Sequence, residues 1–200
     1  MKALIFDTET TGLLAGSDPT HPDQPRLVQF AALLLDEDLR QVSSVSLVVQ
    51  PDIKIPPEVT AIHGIGDWFA SEHGVPEKAV VGIFLRLCSV ATVLVAHNAD
   101  FDLQVMRAAT LRAKAPWRVP PARCTMVAST EIVKCPPTQR MIDSGRTGFK
   151  PPNLAQALRS LTGREMEGAH NAMVDAMACA DVYRALVERG VKWEELRRAS

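Results

Sequence analysis

The stretch IFDTETTGL, residues 5–13, sets two carboxylates, Asp7 and Glu9, directly behind a short apolar run. A run such as Ala3 to Phe6 closed by polar residues reads as a strand entering the middle of a sheet. Carboxylates at the mouth of a buried strand are costly unless a metal ion, an arginine or a hydrogen-bond network neutralises them. The rest of the chain must decide among the three.

Outward from that strand, LLAGSDPTHPDQP (13–25) is rich in turn formers and reads as a surface loop. RLVQFAALLLD (26–36) and RQVSSVSLVVQP (40–51) flank a charged turn and predict a β-hairpin. PPEVTAIHGIG, with its prolines and glycines, is expected to be irregular. PEKAVVGIFLRLCS (76–89) has a proline start and helical spacing of Val80, Phe84 and Leu87. TVLVAH (92–97) predicts another short strand, and NADFDLQVMRAATLRAK (98–114) a helix with Asn98 as its N-cap. Helices are further expected over 123–135, over 153–163 with Gly163 as the stop, and over 171–188, with a loop at 135–152. The run KWEELRRAS reads as a short solvated helix. Strands first, then alternating helix and strand, predict an α/β fold with a mixed sheet flanked by helices.

Two hundred residues suit one domain, a core over about 1–188 with a short extension at 189–200. A net charge of −1 gives no long-range positive field, so contact with nucleic acid must rest on local patches. The four cysteines show no C-x-x-C spacing, which argues against a zinc knuckle or a disulfide framework. The N-terminal apolar run is too short for a signal peptide, and no segment approaches a membrane span of about 18 apolar residues. A cytoplasmic protein without membrane contact is the expectation.

Asp-x-Glu alone is common; its company is not. HNADFD puts Asp102 in the first turns of a helix behind an apolar strand. HNAMVDA places His170 five residues before Asp175, within an otherwise apolar helix. Four carboxylates, Asp7, Glu9, Asp102 and Asp175, thus stand in semi-buried contexts, where they would repel one another. Hard divalent cations such as Mg²⁺ or Mn²⁺ relieve that repulsion, and two of them suit in-line displacement at a phosphodiester. His170 is then the candidate to take a proton from water.

Taken in order, D-x-E, N-x-x-x-D (Asn98, Asp102) and H-x-x-x-x-D, with DTETTGL, AIHGI and AHNADFD around them, resemble the three motifs of the histidine-containing DEDD family of 3′–5′ exonucleases. The resemblance runs from residue 1 to about 188 and is nearest to the proofreading exonucleases of bacterial replicative polymerases and their stand-alone relatives. It implies a ribonuclease H-like fold, two metal ions and release of nucleoside 5′-monophosphates from a 3′ end. On it, Asp7, Glu9, Asp102 and Asp175 match the metal-binding carboxylates, and His170 the general base. Thr10, Thr11, Gly12 and Leu13 match the segment that holds the terminal nucleotide, and Ile62 and His63 a loop that abuts it. Asn98 and Phe101 match residues lining the site.

The implied partner is nucleic acid with a free 3′ end, DNA ahead of RNA, in a polymerase or repair setting. RNA trimming and a non-catalytic docking module are the competing readings. About a dozen residues follow the last long helix, which leans toward a stand-alone enzyme. Trp68 and Phe69 are expected to cap the AIHGI loop against the core, and His97 to be structural.

Overall fold

The computed structural model describes residues 1–193. Strand β1, Ala3–Thr10, runs through the centre of a six-stranded sheet of order β4-β3-β2-β1-β5-β6. Its apolar half is closed to water on both faces, as a central strand requires. Ala3 and Ile5 enter one core, Leu4 and Phe6 the other, each at most 1% exposed. The hairpin partners β2, Leu27–Leu35, and β3, Gln41–Gln50, pair antiparallel as predicted. On the other side β5, Val93–Ala96, lies parallel to β1, followed by β6, Ala122–Cys124.

Three differences from the sequence reading matter. The segment expected to be irregular folds into two short helices, α1 (Pro57–His63) and α2 (Asp67–His73), and a two-residue β4 (Val75–Pro76) closes the sheet edge. Pro57 at the first helical position favours the start, since its missing N–H has no partner there anyway. The loop at 135–152 contains a further turn of helix, α6 (Gln139–Asp143), capped by the Thr138 hydroxyl. Finally, Asp7 and Glu9 lie within β1 rather than beyond it, because β2 pairs with the strand as far as Thr10. The short helix expected over KWEELRRAS, 192–200, falls largely outside the described residues.

The remaining helices are α3 (Glu77–Cys88), α4 (Ala99–Arg112), α5 (Thr125–Val133), α7 (Leu154–Thr162) and α8 (Ala172–Glu188). Helices α3 and α4 cover one sheet face, and α5, α7 and α8 the other. Helix α7 starts in a reciprocal cap between Asn153 and Gln156 and stops at Gly163, whose φ of 76° is the left-handed end that glycine tolerates best. No helix among the described residues is long and apolar enough to cross a membrane.

Candidate active site

Parallel pairing with β5 reaches only Ile5, so the second half of β1 has a ladder partner on one side alone. The first turn of α4 stands beyond the end of β5 and fills that side. Alternation along the strand then sorts the side chains. Asp7 and Glu9 share the face of Ala3 and Ile5, under α8, whereas Thr8 faces α4. The Thr8 hydroxyl donates to Asp102 Oδ1 at 2.8 Å, fixing that carboxylate, which is only 3% exposed.

From the other side α8 brings Asp175 in its first turn. Asn171 caps the helix, its Oδ1 accepting from Met173 N at 3.1 Å and Val174 N at 3.4 Å. Gln29 of β2, cross-strand neighbour of Glu9, ties the same helix end down. Its buried Oε1 accepts from Ala172 N at 3.0 Å. The chain enters α8 through Gly168 and His170, both at positive φ, 71° and 66°. The His170 N–H meets Asp175 Oδ2 at 3.3 Å, and single donor atoms of Glu9, His170 and Asp175 lie within 4.8 Å of one another.

The electrostatics are those of a crowded anion site. Burial, then the Asp102, Asp175 and Glu9 carboxylates, hold Asp7 well above the usual carboxylate range. Burial followed by Asp175 and Asp102 pushes Glu9 to about 7. Asp102 also reaches about 7, burial outweighing the Thr8 hydroxyl that favours its anion. Burial raises Asp175 as well, and its Oδ1 is buried with no hydrogen-bond partner. A divalent cation answers each of these features. It offers positive charge to repelling carboxylates and a partner to an orphaned oxygen. Asp7, Glu9, Asp102 and Asp175 fit such a group, and no arginine bonds to any of them among the described residues.

The predicted substrate segment borders this cluster. Thr10 and Thr11 are buried; Thr10 Oγ1 donates to Gly12 O at 2.7 Å, and Thr11 N donates to Arg26 O at 2.9 Å. Leu13 projects from the rim at 86% exposure, and Ile62 stands exposed on α1. His63 Nδ1 accepts from Ile65 N at 3.1 Å, leaving the proton on Nε2. Burial, opposed by the Thr10 backbone and aided by nearby His170, lowers the His63 imidazole below its ordinary value. Phe101 is half-buried and packs on the core beneath α4.

Two expectations fail. Asn98 occupies the N-cap position of α4, but its backbone is left-handed (φ 66°) and its side chain makes no capping bond. Trp68 and Phe69 do not cap a loop against the core. They are 73% and 41% exposed, with ring contacts to His73 at 6.0 and 4.6 Å. His97 is structural as expected, its Nδ1 3.0 Å from Thr125 Oγ1 and its Nε2 3.1 Å from Pro152 O. Thr8 and Gln29 escaped the sequence reading. Only the alternation within DTET, which turns Thr8 away from its acidic neighbours, hinted at the first.

A model of the RNase_T family, described as exonuclease, matches residues 4–183. A protein of Mycobacterium tuberculosis named a bifunctional exonuclease/endonuclease is 30% identical over 187 residues, 93% of this chain but only 26% of its own length. The DNA polymerase III subunit epsilon of Treponema pallidum is 28% identical over 94% of this chain and 77% of that protein. Among solved structures, E. coli exonuclease I in complex with a dT13 oligonucleotide shares the fold, with a TM-score of 0.73 and 23% identity. The match covers 94% of this chain and 41% of that one. The ribonuclease H-like architecture expected above is therefore the one observed.

Proposed function

Since the chain belongs to the RNase_T exonuclease family, we propose that it is a 3′–5′ exonuclease removing nucleoside 5′-monophosphates from single-stranded or frayed DNA. The observation that carries this reading is the meeting of Asp7, Glu9, Asp102 and Asp175 beside His170 at one end of the sheet. When bound there, two Mg²⁺ or Mn²⁺ ions would act as Lewis acids on the attacking and leaving oxygens. Asp102 is held for this by Thr8, and Asp175 by the capped start of α8. His170 takes the proton of the attacking water as its oxygen joins phosphorus and the bond to the 3′ oxygen breaks. Thr10 to Leu13 and His63 hold the terminal nucleotide, with Leu13 as an apolar wedge; Ile62, Asn98 and Phe101 line its approach.

DNA is favoured as substrate by the polymerase subunit among the relatives and by the oligonucleotide held by exonuclease I. A polymerase or repair complex is the setting that those names suggest. Four free cysteines suit the reducing cytoplasm.

The test is digestion of 5′-labelled DNA and RNA oligonucleotides with Mg²⁺, with Mn²⁺ and with chelator, using Asp7→Ala as control. A metal-dependent ladder that shortens from the 3′ end and vanishes in the control is expected. His170→Ala should lower kcat by about 10²–10⁴-fold at neutral pH while melting like the parent, because its side chain is exposed. Faster loss of RNA would transfer the assignment to RNA trimming, and a folded protein that digests neither polymer would sink it.

A further inference from the structure

Beside the substrate segment the chain carries a second open feature. Thr11 and Arg26 are bonded twice, Thr11 N to Arg26 O at 2.9 Å and Arg26 N to Thr11 Oγ1 at 3.0 Å. Arg26 thereby joins the cleft of about 240 Å³ that Thr11, Gly12, Leu13 and Ile53 line to a groove of about 570 Å³ on its far side. That groove is lined by Lys78, Arg112 and Lys114, among others. Its two acids are already used. Asp52 accepts from Arg26 Nε at 2.6 Å, and Glu77 pairs with Arg112 at 2.7 Å. Lys78 and Lys114 are exposed and make no ion pair among the described residues, so the groove keeps two free positive charges in a protein of net charge −1.

Both lysines stand against local preference. Lys78 lies in the first turn of α3, where the helix dipole disfavours a cation. Lys114 stands just past the C-cap of α4 with a left-handed backbone, φ 53°, where glycine is the favoured residue. Local stability accounts for neither, whereas a polyanion along the groove accounts for both.

We propose that this groove is the track for the nucleic-acid strand upstream of the 3′ end. The strand crosses the rim at Leu13 and Arg26 and lays its phosphates against Lys78 and Lys114. This rests on the nuclease reading above and extends it, since the protein then grips nucleotides well behind the one it removes.

The test is binding of fluorescein-labelled dT20 and dT3 by anisotropy, in chelator, for the parent and for the double variant Lys78→Gln, Lys114→Gly. Glycine suits the backbone at 114, so the variant should melt no lower than the parent. Its Kd for dT20 should rise on the order of tenfold, with dT3 unchanged. The dependence of log Kd on log salt should weaken by about 1.4, two phosphate contacts at about 0.7 each. Unchanged dT20 affinity and salt dependence would overturn the proposal, as would loss of affinity for an acidic peptide rather than for dT20. Digestion is scored separately. Binding that depends on both lysines without any cleavage keeps the track and rejects the exonuclease; normal cleavage with unchanged binding rejects the track alone.

Discussion

At the scale of single residues, the histidine that ends β5's apolar run, His97, is held by partners on both ring nitrogens. Enclosed between Thr125 and Pro152, its imidazole is pushed down by burial to about 4, against the pull of the Pro152 carbonyl. Below its unfolded value of about 6.5 the unfolded chain binds a proton that the folded chain refuses. Stability from this group is therefore complete above that pH and is lost as pH falls from 6.5 toward 4. The loss should reach roughly 2 kcal/mol by pH 5, at 1.36 kcal/mol per unit. Urea unfolding of the parent and of His97→Gln at pH 7 and pH 5 checks this. The variant should start lower, having lost its hydrogen bonds, and its stability should fall less between the two conditions. An equal fall in both would remove His97 from the account.

At the scale of elements, the long periodic segments were legible and the short ones were not. Strand β1, the hairpin and helices α3, α4, α7 and α8 each bury a run or stripe of apolar side chains, and that is the pattern sequence reading detects. Helix α1 buries no residue and α2 only Ala70, so neither has a stripe to read. Strands β4 and β6, of two and three residues, exist because neighbours offer them an edge. The four carboxylates proposed to hold metal were readable because they sit within or directly behind apolar elements. Gln29 was not, because its role arises only when α8 docks, 143 residues along the chain. It predicts a measurable coupling. Gln29→Leu strips the acceptor from the buried Ala172 N–H and should cost about 1–3 kcal/mol of stability. It should also lower kcat more than it raises KM, since His170 and Asp175 sit at the same helix end. Guanidinium unfolding and steady-state kinetics would separate the two effects, and unaltered kcat would limit Gln29 to folding.

At the scale of the whole molecule, the fold brings together four acids that destabilise one another when no cation is bound. Asp102→Asn, assayed in chelator at pH 8, should melt higher than the parent although it cuts no DNA, because it removes one repelling charge and keeps an acceptor for Thr8. Added Mg²⁺ should raise the parent's melting point, by about 2.7 kcal/mol of stability at a hundredfold excess over Kd, and raise the variant's less. A parent that melts identically with and without Mg²⁺ would argue that the cluster holds no metal.

The site also has a history in time. Its first carboxylates lie on β1, and its last, Asp175, comes from α8, tied back by a bond spanning 143 residues. A ribosome adding about 5–20 residues per second takes roughly 10–30 s to pass from that strand to that helix. During that interval the nascent chain carries DTETTGL but cannot assemble the five residues proposed to cut. On the nuclease reading, a stalled or truncated product that lacks α8 would leave nearby strands intact.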